Sequence, residues 1–174
     1  MTEVITFSTA PIIGRGAMPY DTTWERLAFA SHAGEIELNT VTGSVKVLKY
    51  VAAHDVGRAL NPFAVTQQIE GGVIMGIGAA LTESMLTDNG TGVPLNPNLL
   101  DYRALSILDV PKTIDVILVE KPKEYGVYGA HGIGEPPIAL AGSVISNAIY
   151  NAVGVWMTDL PMNRARILSA LRSA

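Results

Sequence analysis

A glycine-rich stretch that runs directly into a double proline constrains this chain more than any other feature. It reads GAHGIGEPPIAL from Gly129 to Leu140. Glycine permits positive φ and close backbone approach, so these residues predict a loop shaped around another group. Proline is tolerated in the first helical turn, so a helix is expected to begin at Pro136 or Pro137, with Glu135 at its N-terminus. The positive end of the helix dipole would favour an ionised Glu135, which suits a positioned base.

Other titratable residues carry weaker signals. An acid at a helix start is also common for purely structural reasons, so position alone leaves the role of Glu135 open. His131, in the same stretch, is expected to position the backbone or to face solvent rather than to bind a metal. His54 and Asp55 form a pair after a predicted strand, and such a pair is more often structural than catalytic.

Composition excludes several classes of function. The chain has 174 residues, which suits one domain with a substantial core. Its net charge is −4 without a basic cluster, which argues against nucleic acid as a partner. It has no cysteine, and therefore no disulfide, thiolate zinc site or iron–sulfur cluster of its own. With 48% hydrophobic and only 16% charged residues, the sequence favours a surface that another subunit covers.

Neither membrane insertion nor export is predicted. The longest apolar stretch, residues 71–81, is too short to span a bilayer. The first residues lack the basic start and apolar core of a signal peptide. We therefore expect a soluble, cytoplasmic protein.

Sequence patterns along the chain predict an α+β fold. Residues 1–22, interrupted by prolines and glycines, predict an extended N-terminal arm, and residues 23–174 predict one domain. Strands are predicted at residues 36–38, 45–51 and 113–119, with a turn at 39–44 joining the first two. Three helices are predicted. They cover residues 62–86, the segment from the double proline to near Gly154, and residues 163–171. The β-β-α-β-α order suits a two-layer domain with a mixed sheet and helices.

The first long helix is rich in glycine, and the segment after it is rich in turns. The helix at 62–86 carries glycines at 71, 72, 76 and 78, although each costs about 1 kcal/mol relative to alanine. These small residues would let a backbone or a ligand approach closely, and tight packing is the interpretation we favour. Residues 87–111 predict a turn-rich crossing loop with a short regular piece near Tyr102.

Four segments together resemble the C-terminal end of the molybdenum-cofactor subunit of the molybdenum hydroxylases, the xanthine oxidase and aldehyde oxidoreductase family. They are the hairpin with Thr42–Gly43 at its turn, residues 51–57 with Asn61–Pro62, residues 68–78, and residues 132–140. In that family a Gly-Glu-Pro-Pro loop presents the active-site glutamate, so the resemblance implies Glu135 as the catalytic base. A Gln-hydrophobic-Glu-Gly segment likewise implies Gln68, together with Gly134, as cofactor-binding residues. Molybdenum would be held through the pterin dithiolene, so no residue here is implied as its ligand.

The resemblance also implies an activity and its partners. The chain would be a small molybdopterin-binding subunit, or a fragment, of an oxidoreductase that hydroxylates a heteroaromatic ring or an aldehyde carbon with water-derived oxygen. Its cofactor would be molybdopterin with molybdenum, in the cytosine dinucleotide form, with 2Fe-2S clusters and FAD on partner subunits. The family's subunit is several times longer, and its Arg-Gly-Phe-Gly motif has no counterpart here. The remaining portion of the molybdenum subunit is therefore expected as a separate chain.

Two other functions stay open from the residues alone. A catalytically silent assembly subunit of a redox complex would predict that altering Glu135 leaves turnover unchanged. A phosphate- or nucleotide-binding module could use the glycines at 129, 132 and 134. Their spacing is not G-x-G-x-x-G, and the loop precedes a helix that starts with proline, so this second signal is weak.

Overall fold

The computed structural model describes residues 28–122 and 126–173. The predicted extended arm, residues 1–22, lies outside these described residues. Within them, no helix is long and apolar enough to cross a membrane.

Three strands form one mixed sheet. Strand β1 (Ala30–Asn39) pairs antiparallel with β2 (Ser44–Asp55), and β2 pairs parallel with β3 (Thr113–Val119), in the order β1-β2-β3. At the hairpin turn, Asn39 Oδ1 accepts hydrogen bonds from two backbone N–H groups, and Gly43 takes a φ of +68°. The predicted hairpin, the third strand and the mixed sheet are confirmed.

Both hairpin strands are longer than predicted. Strand β1 begins at Ala30 instead of residue 36, and β2 continues to Asp55 instead of ending at 51. Burial still alternates along the end of β2, where Ala52 and His54 point inward. The alanines at 52 and 53 hide this alternation in the sequence, because both residues on opposite faces are small and apolar.

Helix α1 (Pro62–Leu81) begins as predicted and ends before the predicted residue 86. At its start Asn61 Oδ1 accepts a hydrogen bond of 3.1 Å from the Ala64 N–H, a standard N-cap. At its end the N–H groups of Thr82 and Glu83 both donate to the Gly78 carbonyl. The Thr82 hydroxyl also donates to the Arg103 carbonyl, at 2.7 Å. A contact across the following loop therefore stops the helix, which periodicity alone did not indicate.

The double proline starts a helix, as predicted, but that helix is a single turn. A 3-10 turn (Val127–Gly129) precedes the loop, α2 spans Pro136–Ala139, and α3 spans Ala141–Val153. Proline at 136 and 137 removes two N–H donors from the first turn of α2, and the Ile138 N–H donates to the carbonyl of the N-cap residue, Glu135, at 3.0 Å. The chain then bends at Leu140, and α3 ends at Gly154 in the left-handed conformation, where its end was predicted.

The remaining elements complete a two-layer α+β domain. Helix α4 (Arg164–Ser173) confirms the predicted terminal helix, whereas the regular piece expected near Tyr102 is replaced by turns. Helices α1 and α3 pack against the sheet and share its core. The largest fully buried hydrophobic side chains are Tyr50, Ile69, Ile77, Ile145, Ile149, Met162 and Ile167.

Candidate active site

Glu135 is the N-cap residue of α2 and is exposed, with its side chain making no capping hydrogen bond to that helix. Because α2 is four residues long and starts with two prolines, the helix dipole expected from the sequence is weak here. The same geometry removes the basis for a phosphate site at this helix, since such sites need N–H groups in the first turn. The carboxylate is left facing outward from the loop.

Gln68 and Gly134 are brought into direct contact. The Gln68 side-chain Nε2 donates to the Gly134 carbonyl oxygen at 2.8 Å, although the two residues are 66 positions apart. Gln68 is exposed, so its second N–H and its amide oxygen remain accessible from outside. An amide both donates and accepts, which makes this an adaptable contact point beside Glu135.

Two glycines of α1 allow α2 and the start of α3 to pack directly against the α1 backbone. A Cβ on Gly72 would lie 2.5 Å from the Pro137 Cβ, and a Cβ on Gly76 would lie 2.7 Å from both the Ala141 Cβ and the Ile138 carbonyl oxygen. Real Cβ atoms do not approach so closely, so glycine is required at both positions. Tight packing is thus confirmed for these two glycines. Gly71, in contrast, has no described atom within 4 Å of a Cβ position.

A turn after β2 supports the glycine loop from the other side. The Arg58 N–H donates to the Gly129 carbonyl, and the His131 N–H donates to the Val56 carbonyl, both at 3.0 Å. Between them Gly57 takes a φ of +63°, and a Cβ there would collide with the Gly129 carbonyl oxygen. Asp55 Oδ1 accepts a hydrogen bond from the Gly57 N–H at 3.1 Å and fixes the turn.

The role of Gly57 was missed in the sequence. The available signal was a glycine two residues after an aspartate at the end of a strand, which is a common turn pattern. His131 supplies a backbone contact, in keeping with its expected positioning role.

His54 lies in a buried hydrogen-bonded network. Its Nε2 is 2.7 Å from the Nε2 of His32, whose Nδ1 is 3.0 Å from the Tyr50 hydroxyl. Burial lowers the pKa of His32 to about 4, with the neighbouring His54 adding to the shift. Burial also lowers the pKa of His54 and raises that of Tyr50. These rings tie β1 to β2, which agrees with the structural interpretation of His54.

The outward face of the glycine loop has the character of a ligand surface. No described atom lies within 4 Å of a Cβ position on Gly132 or Gly134, so the loop backbone is open to approach. Beside it stand an exposed carboxylate, Glu135, and the exposed amide of Gln68. Among the described residues no group of three or more His, Asp or Glu side chains could hold a metal ion. The open glycine backbone and the two exposed polar side chains of this face fit a polar ligand.

Comparisons with known proteins show the family of the chain. Residues 13–111 match the family model of the molybdopterin cofactor-binding domain. The chain is 36% identical over 146 residues to the xanthine dehydrogenase molybdenum-binding subunit of Escherichia coli O157:H7, covering 84% of this chain and 19% of that protein. It is 31% identical over 148 residues to the aldehyde oxidoreductase molybdenum-binding subunit PaoC of Escherichia coli strain K12, covering 85% and 20%.

A solved structure extends the similarity to the fold. The crystal structure of quinoline 2-oxidoreductase from Pseudomonas putida 86 matches with a TM-score of 0.80 at 29% identity, covering 88% of this chain and 20% of that one. The chain spans about a fifth of the length of the curated relatives that it matches. It belongs to the molybdenum hydroxylase family of xanthine dehydrogenases and aldehyde oxidoreductases and contains their molybdopterin cofactor-binding domain.

Proposed function

We propose that this chain forms one wall of a molybdenum hydroxylase active site, with Glu135 as its catalytic base. The observation that carries the proposal is the 2.8 Å hydrogen bond from Gln68 to Gly134, the residue directly before Glu135. This bond puts the exposed Gln68 amide beside the residue that precedes the exposed Glu135, and the backbone at Gly132 and Gly134 is open to approach.

Each residue has a defined task in this proposal. When bound, the molybdopterin cofactor supplies the redox chemistry that transfers water-derived oxygen to an electron-poor carbon. Glu135 accepts the proton released during this transfer at a carboxylate oxygen and holds it until it passes to solvent. Gln68 anchors the loop through one N–H and offers its second N–H and its oxygen to the cofactor. The Gly134 carbonyl is engaged by Gln68, so Gly134 contributes its N–H and its bare Cα to the cofactor face.

The substrate in this proposal is a heteroaromatic ring or an aldehyde. The relatives are named for xanthine, aldehyde and quinoline. Each of these compounds contains a carbon that is electron-poor because it is bonded to nitrogen or oxygen. The cofactor would be the cytosine dinucleotide form, and electrons would leave through 2Fe-2S clusters and FAD on partner subunits. These 174 residues contain no cysteine, so such clusters would be held by residues outside them. The remainder of the molybdenum subunit would complete the cofactor site, in the cytoplasm.

The test is a Glu135→Gln substitution in the assembled enzyme, with Glu37→Gln as its control. Glu37 is an exposed glutamate on β1, so its substitution removes the same charge away from the loop. We expect Glu135→Gln to lower turnover by about 10²–10⁴-fold at normal molybdenum content, because a general base is lost. Turnover is measured per molybdenum with xanthine, benzaldehyde and quinoline. Unchanged turnover in metal-replete Glu135→Gln would favour the silent assembly subunit instead.

A further inference from the structure

The turn after β2, residues 56–59, directs each of its backbone N–H groups at a protein acceptor. Four consecutive N–H groups donate over distances of 3.0 to 3.1 Å, and each uses a different acceptor. The donors and acceptors are Val56 and the Val119 carbonyl, Gly57 and Asp55 Oδ1, Arg58 and the Gly129 carbonyl, and Ala59 and Glu120 Oε2. Each bond fixes the orientation of one peptide group, so the 56–59 turn is fixed along its whole length.

Two of these four acceptors lie at the end of β3. Strands β2 and β3 are parallel and are paired up to Asp55 and Val119, so both end at the same edge of the sheet. Glu120 is the residue directly after β3, and its side chain crosses to Ala59, 61 positions earlier in the sequence. The end of β3 therefore anchors the 56–59 turn to the sheet.

The 56–59 turn also holds the first part of the glycine loop. Two hydrogen bonds of 3.0 Å join the turn to Gly129 and to His131. No described atom lies within 4 Å of a Cβ position on Gly132, the next residue, so side-chain packing does not replace this support there. Glu135 follows His131 by four residues. A displacement of the turn would therefore move the start of the loop that carries Glu135.

Glu120 makes the contact with this turn that a substitution can remove selectively. Two of the other acceptors are backbone carbonyls, and the third, Asp55, bonds to a residue only two positions away. Glu120 is exposed, so its replacement disturbs no core packing. A carboxylate accepts hydrogen bonds without donating any, and a charged acceptor forms a stronger bond than a neutral one. These properties suit a side chain that fixes a single N–H group.

We propose that Glu120 is a positioning residue for Glu135. Through the Ala59 N–H it holds the 56–59 turn, and the turn holds the glycine loop at Gly129 and His131. This role rests on the proposed function, because it takes Glu135 as the base. Glu120 acts through the backbone of the turn and makes no contact with a reacting group.

The experiment compares Glu120→Ala, Glu120→Gln and the control Glu37→Ala in the assembled enzyme. Glutamine keeps a side-chain oxygen that can accept from Ala59, whereas alanine removes the acceptor. Glu37→Ala removes an exposed glutamate from β1, away from the turn. Turnover per molybdenum gives kcat and KM, and mass spectrometry follows amide hydrogen exchange in peptides that contain residues 126–135. Melting temperatures verify that each variant keeps its fold.

We expect Glu120→Ala to lower kcat about fivefold at unchanged KM, because a displaced base weakens the transition state and leaves substrate binding intact. Amide exchange in residues 126–135 should become about fivefold faster, because the loop opens more often. Glu120→Gln and Glu37→Ala should resemble the wild type in both measurements.

Three results would overturn the proposal. They are exchange in Glu120→Ala equal to that in Glu37→Ala, faster exchange without a loss of kcat, and a Glu120→Gln variant as impaired as Glu120→Ala. Hydrogen exchange requires no turnover, so a failure of the positioning role is recognised there, whereas a failure of the proposed function is recognised in Glu135→Gln.

Discussion

Substitution of Gly72 by alanine tests whether α1 sets the position of the loop that carries the proposed base, Glu135. The new Cβ would lie 2.5 Å from the Pro137 Cβ, about 0.9 Å short of the 3.4 Å of an ordinary contact. Pro137 is buried and its ring is rigid, so the backbone of α2 has to move. A misplacement of about 1 Å can cost about 10²-fold in rate. We therefore expect turnover to fall by up to about 100-fold.

The loss of stability should be smaller than the loss of transition-state stabilisation, which is up to about 2.7 kcal/mol for a 100-fold lower rate. Overpacking costs about 1–3 kcal/mol. Replacing glycine with alanine inside a helix returns about 1 kcal/mol of that. The net destabilisation is then about 0–2 kcal/mol, seen as a lower melting temperature of the assembled enzyme. A large loss of turnover with a small loss of stability is the expected signature of a displaced loop.

Gly71→Ala is the matched control, since it lies one residue earlier on the same helix and has open space around it. It should gain the same helix propensity, about 1 kcal/mol, and leave turnover unchanged. The assay measures turnover per molybdenum and melting temperature for both variants. If Gly72→Ala turns over like Gly71→Ala, the contact with Pro137 does not position Glu135 and the reasoning is wrong.

Two further predictions concern hydrogen bonds. Gln68→Met should lower turnover about fivefold, because about 1 kcal/mol of hydrogen bonding to Gly134 is lost. The control is Gln67→Met, at the neighbouring exposed glutamine, and equal turnover in the two variants would contradict an anchoring role for Gln68. The free energy of unfolding should fall as the pH drops from 6.5 toward 5, by at most about 1.4 kcal/mol per pH unit for each histidine. Burial lowers the pKa of His32 and of His54 in the folded state, so the unfolded chain binds more protons in this pH range. His32→Gln should lose its share of this slope in a pH series of melting curves, whereas an unchanged slope would exclude His32 as its source.

Elements governed by local chemistry could be predicted from the sequence. Strand β3 alternates along its whole length, and its bounds, Thr113–Val119, match the prediction. The double proline sets the start of α2, and Gly154 sets the end of α3. In each case the deciding residue lies inside the element or next to it, so the neighbouring sequence carries the information.

Features governed by distant partners could not be predicted in this way. Helix α1 ends early because Thr82 bonds to the Arg103 carbonyl, 21 residues further along. Gly57 is required because the Gly129 carbonyl lies against it, and no pattern around Gly57 names that partner. Gln68 and Glu135 were selected through resemblance to a family, whereas their link through Gly134 depends on the fold.

The candidate site depends on three supports that come from separate parts of the chain. Gln68 holds the loop by a hydrogen bond, Gly72 lets α2 pack directly on α1, and the turn at Gly57 fixes the other end of the loop. The loop itself has open space around Gly132 and Gly134 and contributes little to its own position. A Gly-Glu-Pro-Pro sequence is therefore insufficient to place a catalytic glutamate. In the proposed function, the contacts with the surrounding α+β domain would hold Glu135 in the fixed position that a general base requires.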